Sequence, residues 1–114
     1  MEREIDAEKY LRTKIEKMGG LFLKWTSPGC DGVPDRIVLL PYRSTIFVEM
    51  KTKAGKLSKV QKYMIRKMIK IGQQVCVVHG LDGAADFVED LDRWVVSPGE
   101  YFGGGEWQEL GGEE

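Results

Sequence analysis

The chain has 114 residues, of which 42% are hydrophobic and 31% are charged, and its formal net charge at pH 7 is -1. This length suits one domain with a single core, and the composition excludes the disordered and membrane-spanning classes of protein. No apolar run approaches the roughly 20 residues that a membrane helix needs, so we expect no membrane partner.

The cellular setting is indicated by the N-terminus and the cysteines. The first residues are charged and do not resemble a cleaved signal peptide. Cys30 and Cys76 form no C-x-x-C pair and no metal-ligand spacing. Free thiols of this kind are typical of a reducing compartment, so we expect a cytoplasmic protein.

The small net charge conceals an uneven distribution. Residues 1–81 contain 16 Lys and Arg against 8 Asp and Glu, whereas residues 82–114 contain 1 against 10. Such a basic region favours contacts with nucleic-acid phosphates, although a solvated helix face with snorkelling lysines fits it equally well. The segment 51–70 is basic without any acidic residue, and it contains Lys51, Lys53, Lys56, Lys59, Lys62, Arg66, Lys67 and Lys70.

The first predicted element is a helix over residues 5–18. Glu4 and Glu8 share the face of this helix that carries Leu11 and Ile15. For Glu4, at the end of the helix, pairing with lysines is a sufficient explanation. Glu8 lies deeper in the pattern, so its carboxylate is expected to point inward to a partner.

The later elements alternate between strands and helices. Apolar runs without alternation are typical of strands covered on both faces, and a short connection between two of them predicts a hairpin. The order αβββαβα predicts an α/β fold, a mixed central sheet with helices on its faces. The predicted bounds are a strand at 21–26, a loop at 27–33, strands at 35–40 and 45–51, a helix at 58–71, a strand at 74–79 and a helix at 83–94.

The C-terminal stretch has a different composition. Residues 97–114 contain six glycines and five glutamates, which predicts a mobile tail. Tyr101, Phe102 and Trp107 leave a second interpretation open, because aromatic side chains in a tail could dock onto the domain or onto a partner.

Two acids and a lysine form the strongest chemical signal. Pro34-Asp35 precedes Glu49-Met50-Lys51 by fourteen residues, counted from aspartate to glutamate. Side chains alternate along a strand, so Glu49 and Lys51 project from one face, and Asp35 reaches them if the two strands are antiparallel neighbours. Charged groups in an otherwise apolar strand need partners, which argues against simple surface decoration.

This cluster suits a metal-dependent phosphodiesterase centre. Mg²⁺ and Mn²⁺ prefer oxygen ligands, and Asp35, Glu49 and the backbone carbonyl of Met50 would supply them. Lys51 could orient the attacking water or stabilise the charged transition state. Gln61 has two interpretations: it completes a capping box with Ser58, and its position also suits a contact with the substrate phosphate or with the water.

Several short motifs in one order resemble the virus-type replication-repair nuclease domain, VRR-NUC, of the PD-(D/E)XK nuclease superfamily. The resemblance covers about residues 4–90 and implies a restriction-endonuclease-like core, with the nuclease domain at 1–94 and a Gly/Glu-rich tail at 95–114. The motifs are Gly19-Gly20, Lys24-Trp25, Ser27-Pro28-Gly29, Gly32-Val33-Pro34-Asp35-Arg36, Phe47-Val48-Glu49-Met50-Lys51 and Ser58-Lys59-Val60-Gln61.

The resemblance also assigns roles to the site residues. It implies that Asp35 and Glu49 bind the metal, that Lys51 is the catalytic lysine and that Gln61 is the glutamine of the following helix. Glu8 would be the helix-borne acid, available as a further metal ligand.

A substrate and an assembly follow from the same resemblance. It implies a Mg²⁺- or Mn²⁺-dependent, structure-specific DNA endonuclease, without an organic cofactor, that acts as a homodimer on branched DNA such as four-way (Holliday) junctions. The setting would be a bacterial cell or a phage-infected host. The alternatives are a non-catalytic nucleic-acid-binding module and a nuclease with flap or sequence-specific substrates.

The expected DNA contacts lie around the second helix. One stripe of that helix is basic, and Val60, Met64, Met68 and Ile71 are expected to face inward. His79, the only histidine, is expected to be a hydrogen-bonded surface residue rather than a general base. The residues expected to bind DNA phosphates are Arg36, Lys53, Lys56, Lys59, Lys62, Arg66 and Lys70.

Overall fold

The computed structural model describes residues 3–110, except for the side chain of Glu4. Within this part of the chain there are three helices and six strands, and no helix is long and apolar enough to cross a membrane. The elements are α1 (Glu4–Lys17), β1 (Leu21–Lys24), β2 (Arg36–Leu39), β3 (Ile46–Lys51), α2 (Lys59–Lys70), β4 (Gln74–His79), α3 (Gly80–Asp92), β5 (Gly99–Gly103) and β6 (Glu106–Glu109).

The strands form one mixed sheet in the order β1-β2-β3-β4-β5-β6. β1, β2 and β3 are antiparallel neighbours, β4 runs parallel to β3, β5 runs parallel to β4, and β6 returns antiparallel to β5. Parallel neighbours need a crossover, and α2 and α3 provide the two crossovers. The predicted mixed sheet and the hairpin of β2 and β3 are confirmed.

Helices cover both faces of the sheet, as predicted. On one face, Leu11 of α1 and Phe87 of α3 belong to the larger core cluster, together with Val48 of β3. On the other face, Ile65 of α2 packs with Val75 of β4 in a second cluster. The central strands are therefore apolar on both sides, which explains why they show no polar alternation.

The rotation of α2 agrees with the prediction for Met64 and Met68, which pack on the second core cluster, and differs from it for Val60 and Ile71. Ile65 and Met68 are its buried residues, whereas Val60 is 50% exposed and Ile71 is 75% exposed. Ile65 and Met68 lie four and seven residues after Gln61, on the same stripe of the helix. Because the side chain of Gln61 binds a residue of β3, that stripe faces the sheet and the stripe through Val60 and Ile71 stays at its flank.

The prediction of a mobile tail was wrong for residues 99–109. Tyr101 of β5 is buried, its ring packs edge-on against Phe87 at 5.5 Å, and its hydroxyl donates to Asp90 at 2.7 Å. The glycines at 103–105 have positive φ angles and form the turn into β6, so they serve a hairpin rather than a flexible tail. Residues 111–114 lie outside the described residues.

Candidate active site

The ends of β2 and β3 bring the two predicted acids together. The register of this antiparallel pair places Arg36 opposite Val48, so Asp35 and Glu49, one step further along, lie opposite each other. Opposed residues of an antiparallel pair project to the same face of the sheet. The Asp35 carboxylate is held there because its Oδ1 accepts a hydrogen bond from the backbone N–H of Met50 at 3.1 Å.

Glu49 is the centre of the site. It is only 5% exposed, although it carries a carboxylate. Its Oε2 accepts a hydrogen bond from Gln61 Nε2 at 3.0 Å and lies 3.7 Å from Lys51 Nζ. The buried carboxylate oxygen thus has one hydrogen-bond donor, Gln61, and one ion-pair partner, Lys51, which offset the cost of burying its charge.

The structure confirms the capping box of Gln61, whereas its contact with the substrate phosphate or with the water stays a prediction. Its Oε1 accepts from the backbone N–H of Ser58 at 2.9 Å, and its own N–H donates to Ser58 Oγ at 3.1 Å, which completes the capping box. The remaining donor, Nε2, is directed to Glu49. The helix cap therefore fixes the geometry of a side chain that reaches into the site.

If Glu49 is a metal ligand, as the sequence predicts, Gln61→Ala is expected to reduce DNA cleavage by about 10- to 100-fold, because Gln61 is the hydrogen-bonded partner of that carboxylate. Ser58→Ala is the matched control, because it removes the same cap at a cost of about 1 kcal/mol in stability without touching Glu49. Cleavage rates and urea unfolding of the two variants separate the two roles. Equal loss of cleavage in both would mean that Gln61 acts only through the helix cap.

Glu8 reaches the site through an arginine. Arg36 Nη2 donates to Glu8 Oε2 at 2.6 Å, and Arg12 Nη2 donates to Glu8 Oε1 at 3.3 Å. The other terminal nitrogen of Arg36, Nη1, donates to the backbone oxygen of Asp35 at 3.1 Å and lies 3.3 Å from Asp35 Oδ2. Glu8 is thereby coupled to Asp35 by a charged chain in which Arg36 is the middle member.

The structure corrects the prediction that Arg36 grips DNA. Arg36 is 8% exposed, and its guanidinium is occupied by Glu8 and Asp35. Its side chain therefore neutralises two partly buried carboxylates and is not available to a phosphate at the surface.

Across residues 3–110, no three His, Cys, Asp or Glu side chains come together as a group that could hold a metal ion. Glu8 therefore does not join Asp35 and Glu49 as the third acid of one cluster. The two opposed carboxylates would supply hard oxygen ligands of the kind that Mg²⁺ and Mn²⁺ prefer. A metal-ligand role for Asp35, Glu49, the carbonyl of Met50 or Glu8 stays a prediction.

The pKa values of Asp35 and Glu8 are shifted in opposite directions. Burial raises the pKa of the Asp35 carboxyl above its ordinary value, even though the Met50 N–H and Arg36 act to lower it. The hydrogen bond from Arg36 lowers the pKa of Glu8. Asp35 is therefore an under-compensated carboxylate, and a bound cation would supply the missing positive charge.

Most of the basic residues of the 51–70 segment are exposed. Lys56, Lys59, Lys62 and Lys70 are exposed, Arg66 is partly buried, and Lys53 Nζ donates to Asp82 at 3.0 Å in an exposed ion pair. The α2 residues among them form a cationic surface that begins at the helix turn carrying Gln61.

His79 differs from its prediction as a surface residue. It is 2% exposed, its Nδ1 lies 3.1 Å from the backbone oxygen of Thr52, and its Nε2 lies 2.8 Å from Glu100 Oε2. The Phe102 ring stacks on the imidazole at 4.6 Å. Sequence reasoning missed Glu100 because it lies in the stretch interpreted as a tail. Phe102 packs on the domain, which is the second interpretation left open for the aromatic residues of that stretch.

Comparisons with known proteins agree with this geometry. No protein-family model matches the sequence. A phage protein described as "Putative nuclease p44", from Acyrthosiphon pisum secondary endosymbiont phage 1, is 40% identical over 80 residues, which span 70% of this chain and 86% of that protein. A solved structure described as a VRR_NUC domain is similar with a TM-score of 0.71 at 30% identity, covering 78% of this chain and 97% of the other.

Proposed function

This chain belongs to the VRR-NUC family of nucleases, and we propose that it is a divalent-metal-dependent endonuclease that hydrolyses phosphodiester bonds in branched DNA. The observation that carries the proposal is the buried Glu49 carboxylate opposite Asp35, with Lys51 and Gln61 on its Oε2. A helix cap and a strand register hold these four side chains in place before any substrate binds.

Asp35 and Glu49 would hold the Mg²⁺ or Mn²⁺ ion. When bound, such a cation polarises the phosphodiester, lowers the pKa of a water molecule and offsets the charge that develops during hydrolysis. The raised pKa of Asp35 supports this assignment, because its cause is burial without a fully compensating charge.

Lys51 and Gln61 would have different roles on the same side of the sheet: Lys51 would contact the substrate, and Gln61 would orient Glu49. Lys51 Nζ, 3.7 Å from Glu49, can move from that carboxylate to a phosphate oxygen and stabilise its negative charge. Gln61 keeps Glu49 oriented through its amide while its backbone stays fixed by Ser58. The two residues divide charge stabilisation and orientation between them.

The cationic surface of α2 would hold the DNA strand that leads to the site. Its lysines are exposed, the segment 51–70 contains no acid, and phosphate contacts need charge rather than a precise fit. The net charge of -1 does not oppose this, because the acidic residues are concentrated beyond residue 81.

Replacing Lys59 and Lys62 together by Gln is expected to weaken DNA binding and to reduce the slope of log K against log salt by about 2, one for each lost phosphate contact. Lys9→Gln with Lys17→Gln on α1 is the control, because it removes the same charge from other exposed positions. Fluorescence anisotropy across a salt series measures both slopes. An equal effect of the two pairs would show that net charge, not this surface, determines binding.

A homodimer and a junction substrate complete the proposal. A two-fold dimer would present two copies of the site to two strands of opposite polarity, which matches the symmetry of a four-way junction. Support for this part comes from the family to which the chain belongs, and the choice among branched, flap and linear DNA is left to experiment.

The test uses labelled four-way junction, flap and linear duplex with the purified full chain in Mg²⁺, Mn²⁺ or EDTA. The proposal predicts paired nicks in the junction that need the metal and are much faster than any cut in linear duplex. Binding without cutting under all conditions would identify a non-catalytic nucleic-acid-binding module. Cutting of linear duplex at a fixed position would identify a sequence-specific nuclease instead.

A further inference from the structure

The turn over residues 52–55 connects the two ends of the proposed site. It follows Lys51 directly and leads, through Lys56 and Leu57, to the capping residue Ser58. The carbonyl oxygen of Thr52 closes the turn by accepting from the backbone N–H of Gly55 at 3.0 Å. The same oxygen lies 3.1 Å from His79 Nδ1, so the buried His79 side chain holds the turn by a hydrogen bond to its first residue.

From these contacts we infer that His79 is a positioning residue, fastened by Glu100 of the C-terminal hairpin, that sets the 52–55 turn and thereby places Lys51 and Gln61 around Glu49. This inference rests on the proposed nuclease function. It also assigns a purpose to strand β5, which supplies Glu100 and Phe102.

The register of the sheet couples His79 to the site. β3 and β4 run parallel, and Lys51 is paired with His79 at the last position of the two strands. A displacement of the His79 backbone would therefore also displace the neighbouring backbone of Lys51. The two partners of Glu49 Oε2 lie on either side of the turn: Lys51, its ion-pair partner, comes before it, and Gln61, its hydrogen-bond donor, comes after it.

The chemistry of the two contacts restricts the proton on the imidazole. A backbone carbonyl only accepts hydrogen bonds, so Nδ1 must carry the proton in its bond to Thr52. Nε2 faces a carboxylate oxygen at 2.8 Å, so this second pair must also hold one proton, either on Nε2 or on Glu100. The Thr52 carbonyl thus requires the Nδ1 proton, and the contact with Glu100 fixes the orientation of the ring.

Burial makes this arrangement rigid and excludes direct catalysis. His79 is 2% exposed, and the Phe102 ring lies nearly parallel to the imidazole, with 15° between the planes. A side chain covered in this way does not contact the phosphodiester or the attacking water. Its effect on cleavage must pass through Thr52 and the turn.

Two isosteric variants separate the two hydrogen bonds. In His79→Asn the side-chain amide lies where Nδ1 was and can still donate to Thr52, whereas in His79→Gln it lies where Nε2 was and can only bind Glu100. We expect the Asn variant to keep a kcat within about 3-fold of the wild-type value, and the kcat of the Gln variant to be lower by about 10-fold or more. We expect KM for DNA to be unchanged in both variants. Tyr101→Phe is the control, because it weakens the same strand through Asp90 without touching His79.

Equal losses in the Asn and Gln variants, or an equal loss in Tyr101→Phe, would overturn the inference, because the effect would then come from general weakening of the hairpin. A change in KM with kcat retained would overturn it as well. Melting temperatures of all three variants show whether any loss reflects unfolding.

Nitrogen-15 NMR tests the same contacts without cleavage. His79 is the only histidine, so its ring signals need no assignment. We expect Nδ1 to be protonated, and we expect the Gly55 backbone amide and the Gln61 side-chain amide to shift in His79→Gln but not in His79→Asn. An unprotonated Nδ1, or unmoved Gly55 and Gln61 signals, would refute the positioning role. A wild-type protein that cuts no DNA would instead refute the proposed function. The NMR signals would then still show whether His79 positions the turn and Gln61.

Discussion

Asp35→Asn is expected to reduce DNA cleavage by about 10³-fold while leaving the folded protein at least as stable as wild type at pH 7. The loss of activity follows because the proposed metal site would contribute several kcal/mol of charge stabilisation, and each 1.36 kcal/mol corresponds to about a factor of ten in rate. The asparagine keeps an oxygen at the position that accepts from the Met50 N–H, so the strand geometry is retained.

The stability part of this prediction depends on the direction of the pKa shift. Burial raises the pKa of Asp35 in the folded state. A carboxyl with a raised pKa contributes its full stability below the unfolded pKa, about 3.9 for Asp, and loses it as the pH rises through the folded value. At pH 7 the wild-type charge therefore destabilises the fold, and removing it relieves that cost when no metal is bound.

Urea unfolding in EDTA at pH 7 and at about pH 3 measures this effect. The advantage of Asp35→Asn is expected at pH 7 and should disappear in acid, where the wild-type carboxyl is protonated in both states. Asp31→Asn is the matched control, because Asp31 is an exposed acid in the preceding loop. Substantial cleavage by Asp35→Asn, or a marked loss of stability at pH 7, would contradict the assignment of Asp35.

Glu8→Ala is expected to destabilise the protein by about 2–3 kcal/mol at pH 7, because it leaves the buried Arg36 guanidinium without its main partner. The value is at the low end for a buried ion pair, since the Glu8 side chain retains 20% exposure. Arg36 already has one buried nitrogen, Nε, without a hydrogen-bond partner among the described residues, so little remains to compensate the loss.

The pH dependence of the Glu8 effect has the opposite sign. Arg36 lowers the pKa of Glu8, so its stabilisation is present above the unfolded pKa of about 4.3 and is lost as the pH falls through the folded value. The difference in unfolding free energy between wild type and Glu8→Ala should therefore shrink in acid. Glu16→Ala, at an exposed position of the same helix, is the control.

A double replacement completes the Glu8 experiment. Removing both charges with Glu8→Ala and Arg36→Met should cost less stability than Glu8→Ala alone, because no unpaired buried charge remains. If Glu8→Ala were no less stable than Glu16→Ala, the ion pair with Arg36 would not be a structural element, and the proposed coupling of Glu8 to Asp35 would lose its basis.

The central part of the fold and the site could be predicted from sequence because local patterns sufficed there. The bounds of β4 coincide with the prediction, since an apolar run bounded by Gly72 and Gly80 has few alternatives. Asp35 and Glu49 could be placed together because a hairpin with a short connection fixes its own register. The capping box of Gln61 was visible for the same reason: all its atoms lie within four consecutive residues.

The remaining features depend on contacts between distant residues. The face that α2 turns to the sheet depends on partners in distant strands, namely the apolar residues of β4 that pack on Ile65 and Met68, and Glu49 of β3, which binds Gln61. The glycine-rich composition of residues 97–109 favours a flexible chain locally, but pairing with β4 overrides that preference. His79 is buried because Glu100, twenty-one residues later, satisfies its second nitrogen.

The position of a bound Mn²⁺ ion tests the central claim most directly. Crystals of the wild-type protein soaked in Mn²⁺, with data collected at the manganese absorption edge, would locate the ion by its anomalous signal. The account predicts a peak within ligand distance of both Asp35 and Glu49, and no peak there in Asp35→Asn crystals. A wild-type peak at any other carboxylate group, or none at all at a Mn²⁺ concentration that supports cleavage, would contradict it.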